Sequence, residues 1–223
     1  DDKASNAIEK KQYVVESNTV TIKAGERVAK FRMKGVYENI GKTDSLSVTF
    51  NLRAKDENIW DLYGTRTRVQ MQKACPFELS TFEGYCLLTS SFFSAYMTNT
   101  EHRLLQAERD KAEDNTIILH DFFYKNYDLK IKYDPSDPLK PFVEFDEQII
   151  GSTAEAFGTI YGNGKLMCDQ PVAYDSYYNV CQKFVILYTT IYVVGKGTVG
   201  TYVNILEWIS DEEAEQYKKE EGL

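Results

Sequence analysis

Phe184-Val185-Ile186-Leu187-Tyr188-Thr189-Thr190-Ile191-Tyr192-Val193-Val194 runs into Gly195-Lys196-Gly197-Thr198-Val199-Gly200 and then Thr201-Tyr202-Val203-Asn204-Ile205-Leu206. The middle segment spells G-x-G-x-x-G after a strand, which is half of a dinucleotide-binding fingerprint. The other half needs a helix after the glycines and an acidic ribose contact about 20 residues on. Here a second strand follows, and 23 residues remain after Gly200, too few for a βαβ unit. The glycines therefore read as a turn between two strands, and the fold as antiparallel β.

Working outward, the same pattern recurs. Residues 45–52 alternate apolar and polar for eight positions, as a half-buried antiparallel strand should, and 67–72 alternate again. Residues 19–23 and 28–34, separated by Ala24-Gly25-Glu26, read as a hairpin. After Cys75-Pro76, strands are expected near 116–124, 127–133, 142–149, 155–161, 165–168, 182–194 and 200–208, at the spacing of a meander or barrel. Gly162-Asn163-Gly164 is a tight-turn signal because Asn and Gly tolerate positive φ. Residues 101–113 are rich in helix formers, but their place between strands favours strand plus turn. Residues 56–63 read as a short helical turn. Ser210-Asp211-Glu212-Glu213 matches a capping box and opens a short C-terminal helix. The expected architecture is all-β, with one domain over residues 1–75 and a second, barrel-like domain with a helical tail over 76–223.

Composition agrees. Sixteen Tyr and twelve Phe against five Pro favour strands over disorder. The net charge of -8, with acids and bases interspersed through most of the chain, provides no basic groove for a phosphate backbone, so nucleic acid is not an expected partner. The apolar runs fall short of the roughly 18 residues of a membrane helix, so the chain reads as soluble. Cys75, Cys86, Cys168 and Cys181 permit three disulfide pairings or buried reduced thiols, and their spacing fits no zinc site.

Two stretches carry a family likeness. Asn18-Thr19-Val20-Thr21-Ile22-Lys23-Ala24-Gly25-Glu26 resembles the middle of Calx-β-like, immunoglobulin-type sandwich domains. Cys75-Pro76-Phe77 leading into Phe82-Glu83-Gly84-Tyr85, then Gly158-Thr159-Ile160-Tyr161-Gly162-Asn163-Gly164-Lys165 and the closing Gly200-Thr201-Tyr202-Val203-Asn204-Ile205-Leu206-Glu207-Trp208-Ile209, resemble the two-domain surface lipoproteins of Bacteroidetes. The resemblance implies an N-terminal immunoglobulin-like β-sandwich, complete or partial, and a lipocalin-like or barrel-like C-terminal domain. It also implies export to a bacterial cell surface or outer membrane, with membrane contact only through a lipid anchor upstream of this chain. A partial sandwich would leave a sheet edge to be covered by upstream residues or a partner strand. The resemblance supplies no catalytic residues.

Chemical motifs are sparse. His102 and His120 lack a cluster at metal-ligand spacing; Asp121 could orient His120, and Ser90, Ser91 and Cys86 are the imaginable nucleophiles, without a Gly-x-Ser-x-Gly elbow. Asp134, Asp137, Glu144, Asp146 and Glu147 form an acidic stretch that departs from an EF-hand and reads as a solvated face. Aromatics are the informative group, because flat rings stack on sugars while their polar edges reach hydroxyls. Tyr188, Tyr192, Tyr202 and Trp208 read as core or barrel-lining residues. Tyr174, Tyr177 and Tyr178, in a segment read as a loop, together with Trp60, are the expected ligand-binding residues. The expected function is a non-enzymatic cell-surface binding or accessory protein, without catalytic residues, metal or cofactor, that takes a glycan or other nutrient. The alternative is a structural or protein-interaction module of an envelope complex.

Overall fold

The computed structural model describes residues 5–53, 64–97, 100–138 and 140–221. It is mostly β, and its contacts divide it into Asp1–Cys75 and Pro76–Leu223. The helical turn expected over 56–63 lies outside the described residues. Among the described residues no helix is long and apolar enough to cross a membrane.

In the first unit, β1 (Tyr13–Val15) pairs with β2 (Met33–Gly35), and β3 (Leu46–Asn51) pairs with β4 (Arg66–Met71). Tyr13, Ile40, Leu46, Val48 and Met71 form its small core. β3 departs from the expected alternation, since Leu46 through Thr49 are all buried. The reason is its second edge. Asn6 and Ala7 donate backbone N–H groups to Ser47 O at 3.0 and 3.1 Å, the Ser47 N–H donates to Asn6 Oδ1 at 2.6 Å, and the Thr49 N–H donates to Ser5 Oγ at 2.9 Å. Residues 5–7 thus cover this edge through backbone and side-chain hydrogen bonds, without forming a ladder, and bury the polar face. The hairpin expected from 19–23 and 28–34 does not form a ladder; pairing begins only at Met33.

The second unit contains an eight-stranded antiparallel barrel. Its wall runs β5 (Gly84–Ser90), β6 (His102–Arg109), β7 (Thr116–Leu119), β8 (Leu129–Asp134) and β9 (Phe142–Glu144). Two strands, β10 (Gln148–Ser152) and β11 (Lys165–Asp169), then form a side hairpin. The wall resumes with β12 (Ser176–Asn179), β13 (Phe184–Val193) and β14 (Gly197–Trp208), and β14 closes on β5. β13 is long enough to carry β12 along Phe184–Ile186 and β11 along Thr190–Tyr192 on the same edge. The turn of the β13–β14 hairpin is residues 194–196, with Gly195 at φ 73°; Gly197, at φ 118°, already pairs with Val193, and the glycine segment from Gly197 to Gly200 is the start of β14.

Alternate residues fill the interior: Leu88, Leu105, Ile117, Ile131, Leu187 and Leu206 are among the fully or nearly fully buried side chains. Both ends are plugged by aromatics. Before β5, the 3-10 turn Leu79–Phe82 sets Phe82 against Tyr133 (ring centroids 4.6 Å apart) and Trp208 (5.1 Å). After β5, α1 (Ser91–Tyr96) sends Phe92 and Phe93 inward, with Phe92 stacked on Phe123 at 4.8 Å and Phe123 on Phe122 at 4.4 Å. α1 is N-capped by Ser90, whose Oγ accepts the Phe92 N–H at 3.1 Å.

Several local expectations are corrected, and the strand expected over 142–149 is divided between β9 and β10. The strand expected over 116–124 stops at Leu119, because Asp121 and Asn126 take positive φ in the turn that folds Phe122 and Phe123 into the barrel mouth. The strand expected over 155–161 is α2 (Thr153–Phe157), opened by a reciprocal Ser152–Glu155 capping box and ended by Gly158 in the left-handed region at φ 72°. The segment 174–178, read as a loop, enters β12 at Ser176. By contrast, β6 is a strand despite its helix-forming composition, since pairing on both sides with β5 and β7 outweighs a few tenths of a kcal/mol per residue of propensity. The capping box at Ser210 opens α3 (Asp211–Glu221), with the Glu213 N–H donating to Ser210 Oγ and the Ser210 N–H to Glu213 Oε2.

Candidate functional site

β12 decides which tyrosines can meet a ligand. Successive strand residues point to opposite faces, so Tyr177 points outward and Tyr178 inward. Tyr178 is 3% exposed, and its ring packs on Phe77, Phe82 and Tyr133. Burial, with the Asp134 carboxylate behind it, raises its phenol above the ordinary value. Tyr178 is therefore part of the barrel core, not a ligand contact. Trp60 lies outside the described residues.

Tyr177 is 40% exposed and sits directly across from Phe142 of β9 and from Ile186 of β13. Cross-strand partners share a face, so Phe142, Tyr177 and Ile186 form one outward row. Phe184 meets the Tyr177 ring edge-on, with centroids 6.3 Å apart. The adjoining loop lays Tyr174, 54% exposed, flat on Tyr188 of β13, with centroids 5.1 Å apart and planes 21° from parallel. Ser176 holds this arrangement in place. Its buried Oγ accepts the Tyr188 N–H at 3.0 Å where the β12–β13 ladder ends. Among the described residues the hydroxyls of Tyr174, Tyr177 and Tyr188 make no hydrogen bond, so their polar edges are available. Asp175 is exposed between them. The face thus offers two aromatic platforms, free phenol donors and a carboxylate, a combination suited to a flat polyhydroxylated molecule.

The residues weighed for catalysis are engaged elsewhere. His120 Nδ1 lies 3.0 Å from Asp128 Oδ2, and Nε2 lies 3.5 Å from Glu108 Oε2, so Asp128, not the adjacent Asp121, orients the ring. The tight turn over 121–127 returns Asp128 to that place, which sequence adjacency could not reveal. His102 Nδ1 is 2.7 Å from Thr89 Oγ1 across the β5–β6 pair. Cys86 is a fully buried free thiol, pushed well above the ordinary range by burial, which disfavours the thiolate needed for attack. Ser90 is buried and donates to Asn204 Oδ1 at 2.6 Å, and Ser91 Oγ accepts the Val203 N–H at 3.1 Å. Cys168 is likewise a free buried thiol, raised to about 12 by desolvation. Among the described residues no group of three His, Cys, Asp or Glu could hold a metal ion. In the acidic stretch Asp134 accepts the Ser136 N–H at 2.9 Å, and Glu147 accepts the Tyr192 hydroxyl.

A model of one protein family, described as "Domain of unknown function (DUF4984)", matches residues 62–220. No curated protein matches, and no solved structure matches.

Proposed function

This chain belongs to the DUF4984 family, domains of unknown function, and we propose that it is a non-catalytic binding protein of a bacterial cell surface whose outer barrel face takes glycan. One observation carries the reading: the exposed Tyr174–Tyr188 stack lies on the same outward face as Tyr177 and Phe142, with hydroxyls free. The likeness to two-domain surface lipoproteins supports the location, and the eight-stranded barrel agrees with the lipocalin-like character that likeness implies. The immunoglobulin-like reading of the first unit rests on the same likeness.

If stacking on such faces is worth about 0.5–1.5 kcal/mol per ring, as between aromatic pairs, removing two platforms lowers affinity about fivefold or more. The test is glycan-array and calorimetric binding by the full chain and by a Tyr174→Ala/Tyr177→Ala variant with unchanged circular dichroism. Loss of the bound glycans in the variant supports the reading. Equal binding by variant and wild type moves the site off this face, and an empty array with folded wild type removes glycan as the ligand.

A further inference from the structure

The stretch between β1 and β2 reads in sequence as a hairpin and exists in the structure without a ladder. Every residue from Glu16 to Val28 is exposed. Gly25, at φ 86°, turns the chain, and the Glu26 N–H donates to Lys23 O at 2.9 Å. From Val20 to Phe31 that is the only backbone hydrogen bond among the described residues, so nearly all the N–H and C=O groups on either side of the turn are unpaired. The apolar residues of the period-two pattern are outside as well: Val20, Ile22 and Val28 are 43, 58 and 68% exposed. Only at the base does Phe31 find a partner, its ring 4.9 Å from that of Phe50.

Charge sets this segment apart from the rest. Residues 19–34 carry Lys23, Arg27, Lys30, Arg32 and Lys34 against Glu26 alone, in a chain of net charge -8. Among the described residues none of these five cations forms an ion pair. Alternating β-branched residues, open backbone and uncompensated positive charge are the three components of a strand-accepting edge.

We propose that residues 19–34 are a docking ribbon for an acidic, extended polypeptide of a partner protein, which joins the ribbon as an added strand. Backbone pairing supplies affinity, Val20, Ile22 and Val28 pack against the partner's alternate side chains, and the five cations choose an acidic sequence. A lipid surface would satisfy the charge but not the backbone groups, and a second copy of the ribbon would bring like charge against like. This site is separate from the aromatic barrel face and stands whether or not that face binds glycan.

The test uses the full chain and a fluorescent decapeptide alternating Glu with Val and Thr, followed by anisotropy and by amide hydrogen exchange. Saturable binding is expected, with slowed exchange confined to residues 19–34, at least tenfold weaker affinity in Lys23→Glu/Lys30→Glu, and weakening in high salt. The Tyr174→Ala/Tyr177→Ala variant should bind the peptide normally. Equal binding of a proline-interrupted peptide of the same charge would overturn strand addition. Binding to phosphatidylglycerol vesicles without binding to the peptide would replace the polypeptide with a membrane. Absence of any peptide binding by the folded wild type would also end the proposal.

Discussion

Gln148 closes a gap in the barrel wall by copying a strand with its side chain: the Lys130 N–H donates to Gln148 Oε1 at 2.8 Å, and Gln148 Nε2 donates to Lys130 O at 2.8 Å. On that edge β8 pairs with β9 only from Lys132 to Asp134, and Lys130 is the next position whose backbone groups face the same way. The side-chain amide continues the ladder where β9 has ended.

Replacing Gln148 with Ala removes both hydrogen bonds to Lys130, and a longer one to Asp146 O, at a solvent-accessible seam, with an expected loss of about 1–2 kcal/mol in urea unfolding. Gln148→Glu keeps an acceptor for the Lys130 N–H but sets a carboxylate against the Lys130 carbonyl, and should be no more stable than Gln148→Ala. A Gln148→Ala protein as stable as wild type would show that the seam does not depend on this amide.

Tyr177 and Tyr178 are neighbours with opposite fates. Tyr178→Ala empties a site among Phe77, Phe82 and Tyr133 and should cost about 3–5 kcal/mol, whereas Tyr177→Ala should stay within about 1 kcal/mol of wild type. Comparable losses in thermal unfolding would contradict the inward and outward assignment of β12.

Asp110 should give the protein part of its acid sensitivity. The hydrogen bond from Lys130 Nζ at 2.5 Å, then the Ala112 N–H, hold its carboxyl below the ordinary value of 3.8. A lowered native pKa means that the stabilisation is complete above the unfolded value and is lost as pH falls through the native one. As pH falls below about 4, urea midpoints should therefore drop less steeply in Asp110→Asn than in wild type. The same bond raises Lys130 above 10.5, a contribution present below that value and lost as pH rises through the higher native one. An unchanged acid limb in Asp110→Asn would show that the pair is not coupled to folding.

Gly151, beside the register shift of the β10–β11 pair, lies under the Tyr124 ring; a Cβ there would stand 2.5 Å from Tyr124 Cδ2. Gly151→Ala should cost about 1–3 kcal/mol. In a Tyr124→Ala background the same change should cost much less, and equal costs in both backgrounds would place the conflict elsewhere.

Local information decided more of the framework than of the face that carries the proposed site. The alternation of 184–194 and 200–208, the failed glycine fingerprint and the Ser210 capping box could be read without tertiary contacts, because strand periodicity and end-capping are properties of adjacent residues. The Ser152-Thr153-Ala154-Glu155 capping box was equally present in the sequence but was hidden by a run that also fits a strand. Tyr174 and Tyr177 could be singled out as aromatics near turn residues, but nothing local distinguishes Tyr178 from Tyr177.

The sequence by itself determined that this is a β-rich chain with a turn at Gly195 and a capped terminal helix, since each rests on spacing within a few residues. Tertiary structure alone decided that β14 closes on β5, that Tyr178 enters the core while Tyr177 stays outside, and that residues 19–31 join no strand ladder. Each of those outcomes depends on which distant backbone is within hydrogen-bonding reach, and a strand's own residues specify its periodicity but not its neighbour.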